Sequence, residues 1–380
     1  MPGQTGVYQV KSREPHASDW SNTGTLAFPV TPLVEEPPVT EAPKEEPPKT
    51  EPPKEEPPKT EPPKEEPRLG EDAGRVPYLI DAASYFDTFA SNTSWIKAHV
   101  NLIKGYPPYS DQYVATGVRV IGYHDPATEG FSPLTATSIA SYVSRVKRDM
   151  GVGYKGVFID DANWNLGYRD GGQSKSAVEP EQHELANLTE AIRTAEPGAI
   201  IEMNSQPGDL WPLMKAGDPE VARALTKVND VTLEFGFGAT GHLASSATAY
   251  REAFEYIDAL RAKGVHVCAT GDYLHKELST FEFNQASILL ANDGKDTVNG
   301  VNQTPLSMWP GFDANLGAAT SPRERSSSGV WHRTFTGGAV YTVEPGAATQ
   351  TITLPAAMHT VTGQTVTQIT LAASRGVVLT

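Results

Sequence analysis

From residue 76 onward, short apolar runs alternate with stretches whose apolar positions recur every three or four residues. The runs fall at 78–82, 100–106, 117–125, 156–160, 199–204, 231–235 and 265–269, with an eighth expected around 306–309. Most are continuous rather than alternating, the pattern of parallel strands buried on both faces. Between them Ile139, Tyr142, Val143 and Val146 keep helical spacing. So do Leu185, Leu188 and Ile192, and then Tyr250, Phe254, Ile257 and Leu260. Glu196-Pro197-Gly198 and Lys263-Gly264 are stop signals for two of these helices. Further helices are expected over 219–228 and 279–292. Eight strands separated by helices across 76–325 predict an α/β fold, a (β/α)8 TIM barrel, which ordinarily takes about 250 residues. An open doubly wound sheet is the competing arrangement. No Gly-x-Gly-x-x-Gly turn follows the first strand, so a nucleotide-binding version has no support.

The texture changes at both ends. Across 326–380 the runs at 330–335, 339–343, 351–354, 366–371 and 376–380 are short and rich in β-branched residues. Gly337-Gly338, Pro345-Gly346 and Thr362-Gly363 separate them, which predicts a small C-terminal antiparallel β-domain. So few residues make a poor independent core, so this domain should pack on the barrel. At the front, 1–33 form a short head without clear periodicity. In 34–75 a unit of Pro-Pro-Lys-(Glu or Thr)-Glu repeats. Such a tract cannot bury a core and favours an extended, disordered proline-rich linker that holds the head away from the barrel.

Charge narrows the choice of partners. The formal net charge is -15, and eleven Glu against five Lys between Glu35 and Pro67 supply -6 of it. That balance argues against nucleic acid as a partner. No run is long enough to insert in a membrane, and the first residues lack the layout of a signal peptide. The single cysteine, Cys268, excludes an internal disulfide and a cysteine-rich metal site.

Chemistry in such barrels gathers at the C-terminal ends of the strands. Those ends read Asp81, Tyr106, His124-Asp125, Asp160-Asp161, Glu202 with Asn204, Glu234, and Asp272. An apolar strand ending abruptly in Asp160-Asp161, with Asn163 and Trp164 next, offers carboxyl groups beside a ring that can stack on a sugar. Glycoside hydrolysis needs two carboxyl groups, and Asp160 with Glu234 is the pair of choice. Leu233 and Phe235 flank Glu234, surroundings that suit a general acid. Asp161, more simply a cap or turn residue, and Glu202, deeper in its strand, are the alternative catalytic carboxyls. Asp81, Tyr106, His124, Asp125, Trp164, Asn204, Asp272 and Trp309 are candidate substrate-binding residues, with Tyr123 a further stacking candidate. No His/Cys cluster stands at ligand spacing, so neither metal nor cofactor is called for. No Gly-x-Ser-x-Gly elbow occurs, which leaves a serine hydrolase without support.

Three stretches resemble the barrel glycoside hydrolases grouped as hypothetical glycosyl hydrolase family 15, and more distantly the endo-α-1,4-polygalactosaminidase-like barrels. They are Gly156-Val157-Phe158-Ile159-Asp160-Asp161, the strand-end Glu234, and Gly311-Phe312-Asp313-Ala314-Asn315-Leu316-Gly317 followed by Val330-Trp331-His332-Arg333-Thr334-Phe335. The resemblance spans roughly 76–380. It implies a barrel with a small β-domain and Asp160 and Glu234 as catalytic carboxyls, without saying which is the acid. The tail departs at Glu344-Pro345, where Asn is expected before the proline. The front of the chain is similar in architecture to phage tail-associated proteins. That likeness implies docking to other virion tail proteins through the head, a location on the virion tail or outside the cell after lysis, and a cell-envelope polysaccharide as substrate. The other reading is a non-catalytic carbohydrate-binding tail protein or adhesin on a barrel scaffold, which would not need both carboxyls. A muramidase-type barrel fits less well, since Asp160-Asp161-Ala162 lacks the Asp-x-Glu of that group.

Overall fold

The computed structural model describes residues 6–12, 21–28, 73–76, 78–81, 93–107, 110–126, 129, 131, 134–160, 162, 182–205, 207–233, 236–237, 242–270, 277–298 and 309–380, with the backbone alone for 6–12, 21–28, 78–81, 182 and 209. The chain divides into two compact units, Met1–Lys64 and Glu65–Thr380. In the first, β1 (Gly6–Ser12) and β2 (Ser21–Phe28) form an antiparallel hairpin in which Gly6 faces Phe28 and Lys11 faces Thr23. Neither strand separates polar from apolar residues cleanly, so hydropathy does not announce the pair. The proline-rich repeat lies outside the described residues.

The second unit is built on a closed barrel of eight parallel strands. Along the chain come β3 (Tyr78–Asp81), α1 (Thr93–His99), β4 (Val100–Gly105), α2 (Asp111–Val114) and β5 (Arg119–His124). Then follow α3 (Ala136–Val152), β6 (Gly156–Ile159), α4 (Gln182–Ala195), β7 (Ile200–Asn204), α5 (Pro207–Ala216) and α6 (Pro219–Leu225). The barrel ends with β8 (Asp230–Leu233), α7 (Ala247–Arg261), β9 (His266–Ala269), α8 (Leu278–Ala291) and β10 (Thr297–Val298). Each strand pairs with the next, and β10 closes the ring by pairing with both β9 and β3.

The expectation for the eighth strand is corrected here. The closing strand is Thr297–Val298, and Trp309 stands outside any strand. Two β-branched residues next to the buried Asp296 make too short a run to stand out, whereas Leu306 to Trp309 is conspicuously apolar.

Alternation along each strand sorts side chains into two layers. Leu102, Ile121, Phe158 and Cys268 pack together inside the barrel, joined by Tyr123 and Ile200. Ile103 and Val120, one residue out of step, pack outward on Ile96, Tyr113 and Tyr154. The interior is not wholly apolar. Lys104 and Glu202, both fully buried, form an ion pair there. The Thr232 hydroxyl donates to Glu202 and accepts from Lys104 Nζ at 2.7 Å. Gly156 opens β6 with φ 154°, and a Cβ there would lie 1.9 Å from the Ile200 carbonyl oxygen. Glycine is therefore required for β6 to approach β7 at this point. Side-chain caps fix three helix starts: Thr135 accepts from Ser138 N, Asp218 from Glu220 N and Val221 N, and Ser246 from Ala249 N.

Helix α8 is buried almost all round, its polar Thr280, Asn284, Gln285 and Ser287 included. One side faces the barrel and the other carries the C-terminal β-sheet. That sheet has the order β11 (Glu324–Arg325), β12 (Val330–Phe335), β13 (Gly338–Val343), β16 (Arg375–Leu379). A hairpin of β14 (Gln350–His359) and β15 (Thr365–Leu371) covers its other face through Leu354 and Ile369. Polar contacts lock the sheet to the barrel. The Arg333 guanidinium reaches the Leu289 and Asn292 carbonyls at 3.0 and 2.7 Å. Tyr250 Oη sits 2.9 Å from both Ser287 Oγ and Thr342 Oγ1. Glu344 has structural work of its own, accepting from Arg325 at 2.8 and 2.7 Å and from the Trp331 indole at 3.2 Å.

Candidate active site

Asp160 follows the last residue of β6 at the C-terminal mouth of the barrel, and its N–H donates to the His124 carbonyl at 2.9 Å. The inward register that carries Phe158 continues to Asp160. Tyr123, paired with Phe158 across the β5–β6 ladder, donates its phenolic hydrogen to Asp160 Oδ2. Asn204, the last residue of β7, donates from Nδ2 to Asp160 Oδ1 at 2.7 Å. Tyr106, just beyond β4, lies with its ring centroid 4.3 Å from that of Tyr123. Four successive strands, β4 to β7, thus each place one polar or aromatic group at the same mouth. Burial first, and then the charge of Asp160, hold the Tyr123 phenol far above its ordinary pKa, so it remains a hydrogen-bond donor.

Of the residues expected from sequence, Tyr106, Asp160 and Asn204 are brought together. Asp81 is described by its backbone alone, in register with Lys104. Asp161, Trp164, Glu234 and Asp272 lie outside the described residues. Glu202 faces the barrel interior below the mouth, tied to Lys104 and Thr232. Trp309 is buried where the chain leaves the barrel for the β-domain. Asp125 is also buried. Sequence marks Tyr123 as a stacking ring, and its hydroxyl contact with Asp160 is what the fold adds. The period-two step from the interior Ile121 is the only sequence signal for that contact.

His124 turns outward, away from the mouth, because it stands one residue out of step with Tyr123. It is 2% exposed, with Nε2 2.9 Å from Asp149 on α3 and Nδ1 3.1 Å from Glu129. Arg145 and Arg148 bind the same two carboxylates from α3. Burial works to lower the imidazole pKa, but the bonds to Asp149 and Glu129 prevail and raise it. A raised folded value means stability that is complete below the ordinary 6.5 and lost as pH climbs through the folded value. The gap in melting temperature between the parent and His124→Gln should therefore be widest below about pH 6.5 and narrow in alkali. Melts across that range check it.

At the opposite, N-terminal end of the barrel, a cavity of about 320 Å³ is lined by residues including Arg119, Asp230, His266 and Thr297. Burial, then the charges of Glu202 and Asp296, push the Asp230 carboxyl up to about 7. Its raised value removes stability as pH rises from 3.8 toward 7. Asp230→Asn should recover about 2–4 kcal/mol at pH 8 and little at pH 4.5, read by denaturant unfolding. Among the described residues one group has metal-ligand spacing, His266 with Asp293 and Asp296. Arg261 already bridges the two carboxylates, at 3.1 Å to Asp293 and 2.6 Å to Asp296, so a cation has its place taken. No helix among the described residues is long and apolar enough to cross a membrane.

No family model matches the chain, and no curated protein matches it, so the family resemblance rests on its motifs. Solved structures similar to it include a family 39 glycoside hydrolase from Bacteroides cellulosilyticus WH2, at 11% identity and TM-score 0.47, covering 99% of this chain and 88% of that one. An α-amylase from Lactobacillus plantarum aligns at 10% identity and TM-score 0.42, over 81% of this chain and 98% of that one. The intracellular xylanase of Thermoanaerobacterium saccharolyticum aligns at 12% identity and TM-score 0.38, over 59% and 85%. Likeness at this level carries no argument about activity. The fold rests instead on the closed ring of eight parallel strands with helices outside, a TIM barrel followed by an antiparallel β-domain.

Proposed function

We propose that the chain is an endo-acting glycoside hydrolase that cleaves a bacterial cell-envelope polysaccharide, with Asp160 and Glu234 as its carboxyl pair. The observation that carries this reading is Asp160 at the C-terminal mouth, held at both oxygens by Tyr123 and Asn204. Such a carboxyl group is preorganised in the place where barrels of this kind do chemistry. Glu234 follows directly on Leu233, the last residue of β8, and stands two positions after the inward-facing Thr232. In the reaction the bond from the anomeric carbon to the leaving oxygen breaks. The acid carboxyl protonates that oxygen, the carbon takes the oxygen of water, and the proton lost by water goes to one of the two carboxyl groups, so the pair gives up one proton and regains one. Tyr106, with Trp164, Asp81 and Asp272, would bind the sugar, and neither metal nor cofactor is needed.

A capsule, an arabinan or a galactosaminoglycan is the class of polymer proposed. Presentation on a phage tail, with the 1–33 head docked to other tail proteins and the 34–75 repeat as spacer, would bring the enzyme to such a surface. The test is reducing-end release from a panel of purified bacterial envelope polysaccharides by the full chain. Release supports the hydrolase. Tight binding to a polysaccharide without release would instead make the chain a carbohydrate-binding adhesin.

A further inference from the structure

The two donors that hold Asp160 also bear on which carboxyl group does what. A general acid must keep a proton on an oxygen aimed at the leaving group. Asp160 has both oxygens engaged by donors. Asn204 Nδ2 can only donate, and it approaches Oδ1 at 2.7 Å. The Tyr123 phenol has one hydrogen, and it goes to Oδ2. The ring behind that phenol has little freedom. Tyr106 packs on it with centroids 4.3 Å apart and Phe158 with centroids 4.9 Å apart. Phe158 in turn carries the Lys104 ammonium 4.2 Å from its centroid. With these neighbours in place, Tyr123 is poorly arranged to act as a platform for a sugar ring.

We infer that Tyr123 is a positioning residue: with Asn204 it holds Asp160 as the carboxylate that attacks the anomeric carbon or takes a proton from water, which leaves the acid's part to Glu234. This rests on the hydrolase reading above and assigns the division of labour within it. Tyr106 supports the phenol from the side, so its own contribution should be smaller. Because Tyr123 acts through Asp160 and not on the substrate, its loss should slow turnover without weakening binding.

The experiment uses the full chain and the envelope polysaccharide that the parent hydrolyses fastest. Tyr123→Phe should lower kcat about 10- to 100-fold with KM within about twofold, the effect of removing one hydrogen bond to a charged group. Tyr106→Phe should lower kcat by roughly two- to fivefold. Melting of both variants should stay close to the parent, which separates positioning from a structural role. The residual pH–rate profile of Glu234→Gln should keep its acid limb and lose its alkaline limb. An unchanged kcat in Tyr123→Phe, or a rise in KM alone, would overturn the positioning role. Loss of the acid limb in Glu234→Gln would reverse the two carboxyl roles and overturn the assignment. A parent that releases nothing sinks the hydrolase reading and the assignment with it, whereas an active parent with an unimpaired Tyr123→Phe sinks the assignment alone.

Discussion

Lys104→Met is expected to destabilise the fold by about 3–5 kcal/mol, because it leaves Glu202 without its cation in the barrel interior. Both partners are fully buried, and the Thr232 hydroxyl is the other group bonded to Glu202. Lys104 also loses its bond to Thr232 and its place over the Phe158 ring. Glu202→Leu alone should be comparably harmful, stranding the ammonium instead. The double variant is the informative one. Desolvating two charges costs about as much as their attraction returns, so an apolar pair of similar volume should recover most of the loss. Denaturant unfolding of the parent, both single variants and the double variant gives the coupling. A double variant as unstable as the sum of the singles would mean that the ion pair is not a closed unit.

Asp160→Asn is expected to reduce turnover by about 10³-fold or more while polysaccharide affinity stays within a few-fold, as does Glu234→Gln. The amide is nearly the same size and can still accept from Tyr123, while Asn204 must turn its own amide to offer Oδ1 to the new NH2 group. What disappears is the charge that attacks carbon or takes up a proton. Reducing-end release and direct binding, measured side by side on both variants, separate chemistry from recognition. Turnover close to that of the parent in Asp160→Asn would remove Asp160 from the reaction altogether.

The two predictions draw on residues that are very unequally legible in the chain. Asp160 can be read at once, because an abrupt passage from Val157, Phe158 and Ile159 to a carboxylate marks the end of a buried strand. Glu202 misleads for the same reason. It sits in an equally apolar strand, but in the middle of it, two residues before the end that Asn204 occupies. His124 likewise looks like a strand-end ligand, yet one step of register turns it toward α3 and into the hands of Asp149 and Glu129.

Local pattern was enough to determine that strands and helices alternate, that a β-domain with strands near 330, 340, 351, 366 and 376 follows them, and that Asp160 ends a strand. These depend on the period of polarity along a few residues, which the chain carries by itself. Only the closed barrel decided that Thr297–Val298 is the eighth strand, that Lys104 meets Glu202, and that Tyr123 and Asn204 converge on Asp160. Tyr123 and Asn204 reach Asp160 from 37 and 44 positions away, and Thr232 reaches Lys104 from 128. Whether a polar side chain on a strand faces inward, and whether it can stay charged there, depends on partners that no local stretch contains.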